Sequence, residues 1–391
     1  MVGQETLTKT PITSKQLIFK QETGMGKTAA LLLVLILLTA SSTVIAEPAS
    51  SDVIENSWES KAEMPTARTK LSLAAVNGKI YALGGEWNDV TSNEEYDPNT
   101  NAWNEKATIP TSRSMGELAV AVCQNRIYVI GGYPTSSDYI DANEAYDPTT
   151  DTWETKTPLP YPRIGCSAST VNDKIYVIGG GWAYIDKNLQ WVSIIHNYTD
   201  FYDPLSDSWS TASPPPIDVA RGQSVALEDK IYVLSNGIIQ VYEPKTDTWL
   251  PEIKANITFD SPRITATTGK LAPKRIHIVD VNKHYIYDPH ENSWSSGAPM
   301  LTFRRMFGLC TINDQIFAVG GSHLDGWWSR KNEVYTPIGY GIPDSSCTPS
   351  PPKPTQTLPP EPFPTTLFTA TIGIVAAVSV GLLVYFKKRK R

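Results

Sequence analysis

The chain is poor in the residues from which metal and redox centres are built. Four cysteines and five histidines are spread over 391 residues. Cys123, Cys166, Cys310 and Cys347 show no CxxC spacing, which excludes a zinc ribbon or a dithiol motif, and the first three read as buried thiols. His196 and His323 have no cysteine or carboxylate at ligand spacing, which argues against zinc or copper. His277, His284 and His290 read as structural or surface histidines. HExxH, a Ser-His-Asp signature and an aspartate-rich calcium loop are all missing. Gly26-Lys27-Thr28 looks like the end of a phosphate-binding loop, but the glycine that such a loop needs at position 21 is Gln21. No metal and no cofactor is therefore expected.

Positive charge is scarce as well. The chain has 34 basic and 40 acidic residues, a net charge of -6. Residues 1–46 hold four lysines against two acids and residues 367–391 hold five basic residues and no acid, which leaves the body between them at -13. A surface of that sign repels phosphate backbones, so nucleic acid is set aside as a partner.

Long apolar runs occur only near the two ends. Residues 29–38 follow Lys27 and precede Val44-Ile45-Ala46, the order of a secretory signal over residues 1–46 with cleavage after Ala46. The run is too short to span a bilayer. Residues 1–24 make an unusual leader, and Met25 would be a more ordinary start. Residues 367–386 are uncharged and mainly apolar, about 30 Å as a helix, and end in the basic tail 387–391. Cations after an apolar span stay cytoplasmic, so the sequence predicts a single-pass protein with its body at the cell surface and its C-terminus inside. Residues 338–366 read as a stalk, with nine prolines between 343 and 366. Extended polyproline chain at about 3.1 Å per residue could hold the body up to roughly 70 Å from the bilayer. Pro359-Pro360-Glu361-Pro362-Phe363-Pro364, the apolar span and the tail together also resemble the tripartite sorting signals of prokaryotic surface proteins, in which the helix is removed.

Between these ends the chain repeats itself. Tryptophans stand at 58, 103, 153, 209, 249 and 294, and five of them follow an acidic-Pro turn: Asp97-Pro98, Asp147-Pro148, Asp203-Pro204, Glu243-Pro244 and Asp288-Pro289. Upstream of each turn lies a short strand that is apolar on both faces, at 80–83, 127–130, 175–178, 231–234 and 276–279, with a sixth at 316–319. Four of these strands end in a double glycine, at 84–85, 131–132, 179–180 and 320–321. Units of roughly 40–56 residues with four short strands each describe the blades of a propeller. The last unit has no tryptophan of its own, but Glu55-Asn56-Ser57-Trp58 matches Glu291-Asn292-Ser293-Trp294. The expected fold is thus all-β, a six-bladed propeller over residues 54–337 with four-stranded antiparallel blades. An N-terminal strand closes the last blade and removes the free sheet edges.

Strand, Gly-Gly, Tyr-Asp-Pro, Trp, then Pro and Arg opening the next unit: this series resembles the kelch repeat family over about residues 54–337. Units four and five depart from it, with Ser235-Asn236-Gly237 and Asp280-Val281-Asn282 in place of the glycine pair. The ligand set of the copper oxidases that use kelch propellers is not matched. The resemblance implies that the arginines opening each unit, Arg68, Arg113, Arg163, Arg221, Arg263 and Arg304, are positions that contact ligands. An equally open reading has them sealing blade junctions through acidic side chains or backbone.

Strand order puts the loops between second and third strands on the face opposite both chain ends. Their lengths, 11, 14, 22, 6, 6 and 14 residues, predict a wall along blades six, one, two and three beside low blades four and five. These loops carry Trp87, Tyr133, Tyr139, Trp182, Tyr184, Trp191, Trp327 and Trp328. Of these, Trp182, Trp191, Trp327 and Trp328 join the arginines as candidate ligand contacts, while the long third-unit loop could equally form a small satellite core. Asn197 and Asn256 stand in glycosylation sequons. The leading expectation is a membrane-anchored recognition module, not an enzyme, for a carbohydrate or protein at the distal face. By fold analogy, a mutarotase-like carbohydrate-processing enzyme using Arg with Glu86 or Glu117 is the alternative, and a structural envelope protein a third.

Overall fold

A strand with apolar side chains on both faces must be covered on both faces, and six such strands set the plan of the molecule. The computed structural model describes residues 53–86, 91–114, 118–134, 140–185, 191–255 and 257–342. The leader, residues 343–366, the apolar segment 367–386, the basic tail, Trp87, Glu117, Tyr139 and Asn256 lie outside the described residues. Among the described residues no helix is long and apolar enough to cross a membrane.

The second strands, Lys79–Leu83, Arg126–Ile130, Lys174–Ile178, Lys230–Ser235, Arg275–Asp280 and Gln315–Val319, are buried along nearly their whole length. Each lies in the middle of a four-stranded antiparallel sheet, and six such sheets make the ring. Five first-to-second-strand hairpins are two-residue turns, and Asn77-Gly78, Asn172-Asp173 and Glu228-Asp229 have both residues in the left-handed region, as a turn matched to strand twist requires. The fifth blade has a longer loop instead. Cys123, Cys166 and Cys310 are free thiols buried in the walls of first strands.

The ring closes as the repeat count requires. Ser57–Lys61 pairs antiparallel with Asn332–Thr336, so that Trp58 faces Tyr335. Their ring centroids are 5.3 Å apart, in line with 5.1 Å for Tyr96 and Trp103 and 5.0 Å for Tyr146 and Trp153. Five of the six tryptophans also reach the preceding blade: Nε1 of Trp103, Trp153, Trp209, Trp249 and Trp58 donates to the carbonyl of Ala62, Ala107, Thr157, Ser213 and Ala298 at 2.8–2.9 Å. The amides of those same residues donate to Asn101, Asp151, Asp207, Asp247 and Asn56, each two residues before the tryptophan. Trp58 is 7% exposed. Trp58→Ala, which leaves the strand but empties this pocket, is expected to cost about 3–5 kcal/mol in chemical denaturation; deletion of residues 54–61 should lower the melting temperature further.

Blade five differs from its neighbours inside. Where other second strands carry Tyr81, Tyr128, Tyr176 or Tyr232, and other third strands Asn93, Asn143 or Asn332, this blade has His277 and His284. The two rings are buried, Nδ1 of one 3.0 Å from Nε2 of the other. Tyr335 and Trp58 pack edge-on against His284, at 4.4 and 5.8 Å between centroids. Burial holds His277 well below the ordinary histidine range, helped by His284 and the Arg275 guanidinium, and brings His284 down to about 3. Both are therefore neutral when folded and become protonated when unfolded below about pH 6.5. Stability is lost as pH falls below that point, by about 1.4 kcal/mol per pH unit for each histidine. Urea titrations from pH 7 to 4 should accordingly give a flatter stability profile for His277→Tyr/His284→Asn than for the natural chain; equal slopes would show that the pair does not govern acid stability.

Candidate ligand-binding site

The first strands run down the inside of the ring, and their upper ends frame a cavity of about 1070 Å³. Its wall includes Lys70, Arg221, Lys254, Asp260, Arg263 and Met306. Below it a narrower cavity of about 190 Å³ continues between Leu73–Ala75, Val120–Val122, Ala168–Thr170 and Ser224–Ala226. Glu55 and residues 339–341, near the two ends of the described chain, lie on the other face. Gly339 donates to Glu55, and Gly341 to the carbonyl of Leu271 in the first-to-second-strand loop of blade five.

The six arginines divide into two groups, and four of them are buried in ion pairs within their own blades. Arg68, Arg113, Arg163 and Arg304 are 0–1% exposed. Each meets a third-strand carboxylate of its own blade: Glu94 at 2.5 Å, Glu144 at 2.6 Å, Asp200 at 2.8 Å and Glu333 at 3.4 Å. Arg68, Arg113 and Arg304 also donate to the carbonyl of the first glycine of the pair, Gly84, Gly131 and Gly320. A threonine two residues earlier, Thr66, Thr111 or Thr302, donates to the same carboxylate. Desolvation pulls Arg304 down to about 10 even against the opposing charge of Glu333. These side chains are spent on holding the glycine turn.

Arg221 and Arg263 occupy other positions. The register places Arg68, Arg163 and Arg304 four residues ahead of Ser72, Ser167 and Gly308, each paired with the end of its second strand. The residues at that place in blades four and five are Val219 and Phe259, ahead of Gln223 and Arg263. Val219 shows the equivalence in its bonds: Gly180 donates to its carbonyl at 2.8 Å, as Gly132 does to Arg163 and Gly321 to Arg68. Opposite Val219 and Phe259 the third strands carry Gln240 and Tyr285 instead of a carboxylate. Gln240 bonds both the amide and the carbonyl of Ile217, and Tyr285 packs edge-on against Phe259 at 5.6 Å. A neutral pair thus replaces a buried ion pair, a near-neutral exchange in stability. It was readable in the sequence from the residue two before each third-strand tyrosine. Arg221 stands two residues after Val219, at the cavity wall and with φ of 51°, where blade three has Gly165. Arg263 lies on its first strand and donates to the carbonyls of Phe307 and Pro262.

Of the other candidates, Trp327 is 75% exposed and Trp328 half-buried, in the hairpin between Ser322 and Trp328. Trp182 and Trp191 lie on a second hairpin, Gly181–Ile185 with Trp191–Ile195, built from the long third-blade loop. Asn197 is half-buried and Thr199 of the same sequon is buried in the third strand. Glu86 pairs with Lys70 at 3.0 Å. Among the described residues no three His, Cys, Asp or Glu side chains come together as a metal site.

Residues 45–181 match the family model described as the KLHDC2/KLHL20/DRC7 Kelch-repeats domain, and residues 162–216 match the Kelch motif. Kelch repeats are thus found in the propeller within residues 45–216. The chain is 28% identical over 205 residues to Kelch-like protein 26 of Danio rerio, covering 50% of this chain and 33% of that protein. It is 30% identical over 241 residues to Kelch-like protein 35 of Mus musculus, covering 60% and 32%, and 25% identical over 224 residues to Beta-scruin of Limulus polyphemus, covering 53% and 24%. The chain spans about a third or less of these relatives' length. A solved structure titled "Structure of YjhT" superposes with a TM-score of 0.56 at 15% identity over 69% of this chain and 95% of that one, a likeness of fold.

The two groups of arginine predict opposite phenotypes. Removing Arg113 strands the buried Glu144 carboxylate and should cost about 3–5 kcal/mol. Arg221→Gly, which suits the left-handed backbone, should leave stability within about 1 kcal/mol of the natural chain in thermal unfolding.

Proposed function

We propose that this kelch propeller is a cell-surface recognition module that takes a carbohydrate or protein ligand at the mouth of its central cavity. The observation that carries the reading is the charge of that wall. Arg221 and Arg263 stand there with Lys70 and Lys254, which pair with Glu86 and Glu252, against Asp260, although the body as a whole is at -13. Cations gathered in a concave site against an acidic surface favour a ligand with a carboxylate or other anionic group, since arginine offers it paired donors. The position of Glu55 and Gly341 on the opposite face supports a mouth directed away from the membrane. The apolar segment 367–386 and the basic tail support single-pass anchoring with the propeller outside.

A glycan and peptide array probed with the full chain tests this. Binding to one ligand class, weakened at least tenfold by Arg221→Gly combined with Arg263→Ala while the melting temperature holds, is the expected result. Binding that ignores both substitutions would move the site elsewhere.

A further inference from the structure

Five blades make their own fourth strand, joined by a short turn to the third strand beside it, but the sixth takes Ser57–Lys61 from the other end of the chain. That strand lies at the edge of its sheet, paired with Asn332–Thr336. No turn ties it to this neighbour, so it can leave without breaking a hairpin. Within it Trp58 alone is buried. The strand is therefore held by its ladder and by the seat of one side chain.

That seat rests on the histidines of blade five. Trp58 packs on His284 at 5.8 Å between centroids, and Tyr335, its partner across the ladder, packs there at 4.4 Å. The indole donates to the carbonyl of Ala298 and the Ala298 amide donates to Asn56, so both anchors of the closing segment meet on one residue. Gly297 precedes it, and a Cβ built there would lie 2.5 Å from Nδ1 of His284 and 2.9 Å from the Tyr335 hydroxyl. Imidazole, clamp and tryptophan are one packed group. Moving His284 moves the seat.

The group is poorly equipped to hold a positive charge. The elements around it present the Thr267 hydroxyl of the first strand, 3.4 Å from Nε2 of His277, the Arg275 guanidinium of the second, Gly297 of the fourth, and the Trp58 and Tyr335 rings of blade six. Arg275 is itself cationic and pairs with Asp288 at 2.9 Å, while burial and Glu55 push the Tyr335 phenol up and keep it neutral. Asp314 of blade six accepts from the amides of Thr268, Leu271 and Ala272. Among the described residues no carboxylate bonds either imidazole. A proton taken up here must be solvated by water.

We propose that the His277–His284 pair is an acid-sensitive latch on ring closure: protonation of His284 lifts Trp58 and releases Ser57–Lys61 from Asn332–Thr336 while the other blades stay folded. Lifting an edge strand that no turn retains is the least costly way to bring water to the ring, since the remaining walls belong to the continuous chain of blade five. This local opening is distinct from the loss of overall stability, in which all blades give way together. Burial keeps His284 neutral down to about 3 in the closed ring, whereas the exposed imidazole titrates near 6.5. Closure is thus fully stable above about pH 6.5 and weakens as the pH falls below it, the open form gaining about tenfold per pH unit for one histidine.

Hydrogen exchange of the full chain, read by mass spectrometry at pH 6.5 and 4.5 and corrected for the intrinsic rate at each pH, tests the latch. Residues 57–61 should lose about fiftyfold of their protection at pH 4.5, while residues 126–130 of blade two change by less than about threefold. In His284→Asn, and in His277→Tyr/His284→Asn, the protection of residues 57–61 should also change by less than about threefold. A parallel loss in blade two would show that the pair acts through global unfolding alone. An equal loss in the variants would assign the acid response to other groups. Either result overturns the proposal, as does unchanged protection of residues 57–61 in the natural chain, a comparison that needs no variant to fold.

Discussion

One peptide group at each of five blade junctions is gripped from two sides, and the ring depends on that grip. The carbonyl of Ala62, Ala107, Thr157, Ser213 or Ala298 accepts from a tryptophan of the next blade, and its amide donates to an Asn or Asp of the same turn. That Asn or Asp also accepts from the tyrosine on its own third strand, as Tyr96 to Asn101, Tyr146 to Asp151 and Tyr335 to Asn56. It sits with positive φ, between 45° and 56°, where Asn and Asp are the tolerated side chains after glycine. The tyrosine hydroxyl and the Thr157 amide hold the Asp207 carboxyl below its usual range, so the clamp is charge-assisted at that junction. The closing strand spares the last blade an unfinished edge, and the six blades keep only the short, protected edges of a propeller.

The same economy governs the upper face. Where a third strand carries Glu94, Glu144, Asp200 or Glu333, the matching arginine is drawn inside. Where it carries Gln240 or Tyr285, the interior pair is neutral and arginine is left for the cavity wall. Low blades four and five therefore supply both the opening and much of its positive charge. Position along one repeat separates the two groups: the buried arginine belongs to the turn, and residues two to four places later face the central cavity.

The blade count, the strands and the closing strand were legible in the sequence because each rests on a local pattern: two-faced apolar runs, left-handed turn residues and a tryptophan at a fixed place. The clamp was legible too, as Asn or Asp two residues before every one of the six tryptophans, although its partner across the junction was not. The fate of the arginines shows the limit. An arginine opens every unit, but its place along the repeat, two residues beyond the buried position for Arg221 and four for Arg263, decides whether the side chain meets a buried carboxylate or the cavity wall, and that place is fixed only against the strand register. Register is set by pairing with another strand, so it is a tertiary property. Trp327 was legible as an exposed candidate, but the exposure of Phe303 beside Leu324 was not, since they come from segments on either side of two strands. By itself the sequence determined the ring and its closure, because hydrophobic period and turn chemistry act over a few residues. Only the tertiary structure decided which cations and which aromatics remain exposed, because desolvation depends on neighbours that the chain brings together from far apart.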